Sequence, residues 1–230
     1  SNSSLVFIIA FCSLALSARF GSNNGVFRTS VTAIVFCFSA LLIISFDIYK
    51  KKEFLRHLTI AVMFIIIFKI FIYSYSHPYR LNTSLGNQKY KVSINNDKSI
   101  VRVDFEAKKW IDDLKYHSKK YGWNSGNGLI DVTGATPGAS LILNSRPVGQ
   151  PWLPGGYPGS DEYAYNVLKK MPIKVLKESW ILTAPDGKRK ISESIFKRLN
   201  INFPDNYEKV CELKNSYRDE TQILWKPKSF

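Results

Sequence analysis

The sequence predicts a membrane α-helical segment of about three transmembrane helices followed by a mixed α/β extracytoplasmic domain. Three observations carry this. Residues 1–75 hold 7 Lys/Arg and 2 Asp/Glu, whereas residues 76–230 hold 25 and 16. The apolar runs of the first third approach the roughly 20 residues that a helix needs to cross a bilayer. From about Asn87 the pattern changes to short alternating runs and amphipathic stretches. The boundary therefore falls between 1–78 and 79–230, and a mean hydropathy of -0.11 averages over two unlike parts. With 13 Gly, 10 Pro and only 3 Cys, the composition excludes collagen, bulk disorder and a disulfide scaffold.

The expected spans are about 5–18, 31–48 and 58–75. The link between the second and third, Tyr49 to His57, carries four Lys/Arg in nine residues. Positive charge is retained on the cytoplasmic side, so this link faces inward and the chain after about Ser76 faces the periplasm or exterior. Tyr73, Tyr75 and Tyr79 fit an interfacial aromatic belt. Lys69, the one charge inside the third run, either snorkels to the outer headgroups or contacts the phosphate of a lipid substrate. Cys12 and Cys37 lie in apolar runs, and Cys211 is alone in the outer domain, so no disulfide forms within it.

In the outer domain, Lys89–Ile94 and Ile100–Phe105 alternate around Asn95-Asn96-Asp97-Lys98 and read as a hairpin. A helix follows over about Glu106–Tyr121, with Trp110, Ile111, Leu114 and Tyr121 as its apolar stripe. Gly122–Gly128 is a loop and Leu129–Val132 a short buried strand. Further helices are expected over Asp161–Lys170 and Ile191–Leu199, the latter capped by Ser192 or Ser194. Pro185-Asp186-Gly187 is a turn, and Tyr207–Leu213 and Gln222–Trp225 are closing strands. Helices and strands together make a domain large enough for its own core.

The outer domain's 25 basic and 16 acidic residues leave it at +9. An outward-facing basic domain meets anionic headgroups, lipid-linked phosphates or acidic glycans rather than nucleic acid. Residues 129–165 hold six of the thirteen glycines and five of the ten prolines, which predicts a long shaped loop of the kind that often carries function. Trp152, Tyr157, Tyr163 and Tyr165 offer flat faces suited to a sugar ring, and Asp131, Arg146, Asp161 and Glu162 are the convergent polar candidates. The bland alternative is that Gly and Pro shape the loop while the aromatics roof the core.

Other motifs are incomplete. Thr133-Gly134-Ala135-Thr136-Pro137-Gly138 has Pro137 and Leu141 where a dinucleotide loop needs glycine. Asp131-Val132-Thr133-Gly134 suggests phosphatase or aspartic-protease signatures, but a second nearby carboxylate is missing in the right place. His57, His77 and His117 are too scattered for a metal, no Cys/His cluster exists for zinc, and nothing points to a cofactor. A Cys211–His117 dyad is conceivable only through folding.

The stretches "LIDVTGATPG", "GQPWLPGGYPGSDEYA" and "LWKP", following several apolar runs, resemble the C-terminal region of bacterial polytopic membrane proteins related to GT-C glycosyltransferases, over roughly residues 85–226. The resemblance implies transfer of a sugar from a polyprenyl-phosphate donor to a cell-envelope glycan or lipid, at the outer face of the bacterial inner membrane. It also implies a catalytic carboxylate in a first outer loop; the upstream loop here, residues 18–30, contains no Asp or Glu. With a first residue that is not Met, the expectation is a C-terminal piece whose catalytic part lies elsewhere, so no catalytic residue is assigned. The outer domain is then expected to bind acceptor or lipid phosphate through Asp131, Arg146, Trp152, Tyr157 and Asp161, with Lys69 in the membrane. A non-enzymatic membrane-anchored binding or scaffold module is the alternative. An independent hydrolase would need a carboxylate pair or a nucleophile–base set that the sequence does not display.

Overall fold

The computed structural model describes residues 2–17, 34–47, 52–78, 81–94, 99–134, 138–215 and 217–228. Residues 18–30, Tyr49–Lys51, Tyr79 and the turn Asn95–Lys98, to which the sequence assigned loops, charge bias or an aromatic belt, lie outside them. The chain divides into two units, Ser1–Tyr75 and Ser76–Phe230.

The first unit is helical: α1 spans Asn2–Ser17, α2 Ile34–Asp47 and α3 Glu53–Ser76. Among the described residues only α3, with 24 residues, is long and apolar enough to cross a membrane. At 1.5 Å per residue it reaches about 36 Å, against about 30 Å of hydrocarbon. Helices α1 and α2 are equally apolar but have 16 and 14 residues, so the three-span expectation is met by one helix only. Along α3 the apolar side chains point outward, with Phe64, Phe68 and Phe71 each more than 60% exposed. Polar groups in these helices are quenched locally. The hydroxyls of Ser45 and Thr59 donate to the carbonyls of Leu41 and Leu55 at 2.8 and 2.9 Å, a back-bond that satisfies a hydroxyl without water.

The second unit opens with a two-stranded ribbon, β1 (Tyr90–Ile94) antiparallel to β2 (Ser99–Val103). Helix α4 (Phe105–Lys120) follows. Its N-cap, Asp104, accepts from the Ala107 N–H at 2.8 Å and from the Thr83 hydroxyl at 3.1 Å, so one carboxylate closes the helix and clips the preceding segment to it. Ile111 and Leu114 bury the expected stripe, and Trp110 and Tyr121 pack at its edge. Replacing Asp104 with alanine is expected to lower this unit's stability by about 1–2 kcal/mol. The check is a lower urea midpoint at unchanged slope; an unmoved midpoint would mean the cap contributes nothing.

The remaining strands form one sheet in the order β4-β3-β5-β7-β6: β3 Gly128–Asp131, β4 Arg146–Pro147, β5 Trp180–Thr183, β6 Tyr207–Asn215 and β7 Glu220–Pro227. Strand β3 runs parallel to both β4 and β5, while β7 is antiparallel to β5 and β6. Four short helices connect them: α5 (Gly138–Ile142), α6 (Ser160–Leu168), α7 (Ile173–Glu178) and α8 (Ser194–Arg198).

Side chains alternate between two cores, as strand geometry requires. Leu129, Trp180, Leu182 and Leu224 join Leu114 of α4 and Ala139 of α5 on one face. Ile130 and Ile181 join Leu168 of α6, Leu176 of α7 and Phe196 of α8 on the other. The element that sequence reading missed is the middle one. Trp-Ile-Leu-Thr of β5 is buried on both faces, so it shows no alternation, and four residues are too few to separate it from loop. Helices α5 and α7 fell inside or beside the Gly/Pro-rich stretch and were likewise unread. The closing strands are longer than the sequence suggested, the last expected helix shorter.

Candidate functional site at the carboxyl ends of the parallel strands

The connection leaving β3 crosses to β4 through α5 on one face, and the connection leaving β5 runs through α8 on the other. Adjacent parallel strands whose connections depart to opposite faces leave a crevice beyond their carboxyl ends, where open α/β sheets bind ligands. Asp131 ends β3 at this point, in register with Leu182 of β5.

Asp131 is 6% exposed. Its Oδ1 accepts from the backbone N–H and the hydroxyl of Thr133, at 2.9 and 2.7 Å. Its Oδ2 is buried with no hydrogen-bond partner among the described residues. Burial pushes the carboxyl up to about 7; the two Thr133 bonds oppose the shift, and the negative charge of Glu220 reinforces it. Glu220, from β7, is buried too and shifted upward, mainly by desolvation, while the Gln222 amide donates to its Oε1 at 2.8 Å. Asp131, Thr133, Asn215, Glu220 and Gln222 are buried polar side chains of this unit. Glu220, 89 positions further along the chain, is the carboxylate whose charge adds to the upward shift of Asp131. No local motif announces this influence; the one signal was Glu and Gln at alternate positions of a closing strand.

The Gly/Pro-rich segment is fixed to the same edge by its glycines. The Gly134 carbonyl accepts from the Gly155 N–H at 3.1 Å and from the Trp152 indole at 3.2 Å. Gly134 has φ +71°, and a Cβ placed there would lie 1.7 Å from the Arg189 carbonyl oxygen; at Gly155 the figure is 1.8 Å. Three segments therefore meet where only hydrogen atoms fit between them. Beyond this contact, the Arg189 guanidinium sits 5.4 Å from the centre of the Tyr157 ring, a cation–π arrangement that sequence reading did not foresee. Trp152 and Tyr157 are 40% and 42% exposed, so their faces remain available above their anchors.

The other candidates separate. Arg146 pairs with Gly128 at the opposite end of β3 from Asp131, about 10 Å away along the strand, so the structure does not bring it to this edge. Asp161 accepts from the Ser192 N–H at 2.9 Å and holds the start of the α8 segment. Glu162 pairs with Arg198 at 2.9 Å, and that guanidinium covers the Tyr165 ring at 3.7 Å. The Tyr163 hydroxyl donates to Gln150 Oε1 at 2.5 Å. Lys69 is on α3, in the first unit. Cys211 is buried and its thiol is pushed up to about 11 by desolvation, opposite to what a nucleophile in a Cys–His dyad needs. Among the described residues, no group of three His, Cys, Asp or Glu stands ready to hold a metal ion.

No family profile, curated protein or solved structure matches the chain.

Proposed function

We propose that the α/β unit is a binding module for a polar, glycan-like or phosphate-linked ligand, carried on membrane-embedded helices. On this reading it serves glycosyl transfer from a polyprenyl-phosphate sugar to an envelope glycan or lipid, outside the bacterial inner membrane. The observation that carries the reading is the edge itself. A buried carboxyl with one oxygen unclaimed lies at the switch point, and two exposed aromatic faces are anchored nearby, Trp152 to the Gly134 carbonyl and Tyr157 against Arg189. Asp131, poised near neutrality, can donate to or accept from a ligand hydroxyl. Trp152 and Tyr157 provide stacking faces and Arg189 a positive charge for a phosphate. Exposed apolar helices and the resemblance to GT-C-related proteins support the membrane and transferase parts.

The test is titration of the full chain in detergent with undecaprenyl phosphate and with envelope oligosaccharides. Trp152→Ala and Tyr157→Ala are each expected to weaken binding about tenfold, the equivalent of the 1–2 kcal/mol an aromatic contact contributes. Trp152→Phe keeps a face but not the indole donor and should lose less. Unchanged binding in all three variants would remove these residues from the site.

The buried carboxyls favour a second reading, in which the α/β unit performs acid–base chemistry itself. Asp131 and Glu220 are both shifted upward, mainly by desolvation, and carboxyls held protonated by burial are elements such chemistry uses. Turnover of a ligand by the protein, lost in Glu220→Gln while binding persists, would decide for it.

A further inference from the structure

The ribbon formed by β1 and β2 presents a face that nothing in the α/β unit uses. Val92 is buried beneath it, and the Lys115 ammonium donates to the Ser93 carbonyl at 2.5 Å, so α4 covers one side. By alternation Lys91 and Ser93 point to the other side, and the register sets Lys91 directly opposite Arg102 and Ser93 opposite Ile100. Like charges facing each other across an antiparallel pair repel and weaken the ribbon. Neither cation forms a salt bridge among the described residues, and in 81–105 the one described acidic side chain, Asp104, is buried as the α4 cap. Beside this pair stands Ile100, 67% exposed, and Lys89 immediately precedes β1. At the ribbon's end Tyr90 and Phe105 meet edge to face at 5.7 Å, and both are exposed.

Facing cations with no salt bridge among the described residues and a projecting aliphatic side chain are the chemistry of a surface that seats on anionic headgroups. The cations meet phosphates and the aliphatic group enters the acyl boundary. We propose that the β1–β2 ribbon is a peripheral membrane-binding surface for anionic lipid, with Lys91 and Arg102 sharing a lipid phosphate and Ile100 inserting beside it. A phosphate between the two cations converts their repulsion into a two-donor anion site. The inference rests on the reading that α3 is a membrane span, and it adds a second, independent attachment. Its role is to hold the α/β unit against the bilayer, where a lipid-linked ligand is presented.

The test uses the full chain in lipid nanodiscs, with native cysteines replaced by alanine and single spin labels introduced at Ile100→Cys, at Lys197→Cys on α8 and at Phe68→Cys on α3. In discs containing phosphatidylglycerol, the oxygen-to-nickel collision ratio at position 100 is expected to exceed that at 197 several-fold. In phosphatidylcholine alone, and in the Lys91→Glu/Arg102→Glu variant, it should fall to the level at 197, since each basic residue near an anionic surface strengthens partition about fivefold. A Lys91→Gln/Arg102→Gln pair with unchanged melting should show an intermediate ratio, which separates loss of charge from misfolding. If position 68 reads lipid while position 100 reads water in both disc types, the ribbon inference is overturned and the membrane reading stands. If position 68 reads water, the membrane reading fails and takes this inference with it. Loss of the signal at 100 on adding inorganic phosphate, but not chloride at equal ionic strength, would assign the cations to a free anion and overturn the lipid assignment.

Discussion

Asparagine in place of Asp131 is expected to stabilise the protein above neutral pH and to abolish ligand binding. The carboxyl is ordinary, near 3.8, in the unfolded chain and about 7 in the folded one. Between these values the folded state holds a proton that the unfolded state has released. Stability therefore falls as pH rises through this window, and the loss is complete above about 7. A difference of roughly three units corresponds to about 4 kcal/mol, an upper bound for a buried group whose surroundings relax. Asparagine keeps an oxygen for the two Thr133 donors and cannot ionise, so its profile should lack this descent. Urea midpoints from about pH 4 to pH 8 read the result. A wild-type profile without a descent there would mean that Asp131 ionises at no cost and is an ordinary acid.

Gly134→Ala is expected to be the most disruptive single-atom-scale change in the α/β unit, at about 2–5 kcal/mol. A left-handed backbone at an L-residue accounts for about 1–2 kcal/mol, and the overlap with the Arg189 carbonyl for about 1–3 more. Gly155→Ala carries the overlap without the left-handed φ and should lose less. Both variants should also free the 150–159 segment, read as faster tryptic cleavage after Arg189 or Lys188, whereas Gly126→Ala, with open space around its Cβ position, should show only the backbone strain. Equal stability for Gly134→Ala and wild type would mean that the three segments do not pack as described.

These two residues also show how much was legible. Helix α4, the ribbon, the turn at Gly187 and the closing strands carry period, caps and turn residues in the sequence, and the structure has them, with the Gly187 N–H donating to the Ala184 carbonyl at 2.9 Å. Asp131 was legible as the polar end of a buried strand. The charge that acts on it was not: Glu220 stands two strands away in the sheet order, which no local spacing encodes. Arg146 was misplaced for the same reason, since an arginine within a loop-like stretch looks convergent until β4 pairs with the wrong end of β3. The glycines announced a shaped loop, but which carbonyl each one approaches is a property of three chain segments at once. Apolar runs were visible as runs, and among the described residues only α3 has the length to match a bilayer.

Strand β7 lies between β5 and β6 although it is the last strand in chain order. The sheet's interior is therefore filled by residues synthesised after every helix that packs on it. Until Glu220–Pro227 leave the ribosome, β5 has one unpaired edge. Closure joins segments far apart in sequence, the kind of step that slows folding. The emerging unit must pass through an interval with an open apolar edge, a natural point for chaperone capture. A chain that stalls before β7 pairs with β5 should therefore expose an apolar edge and be sticky.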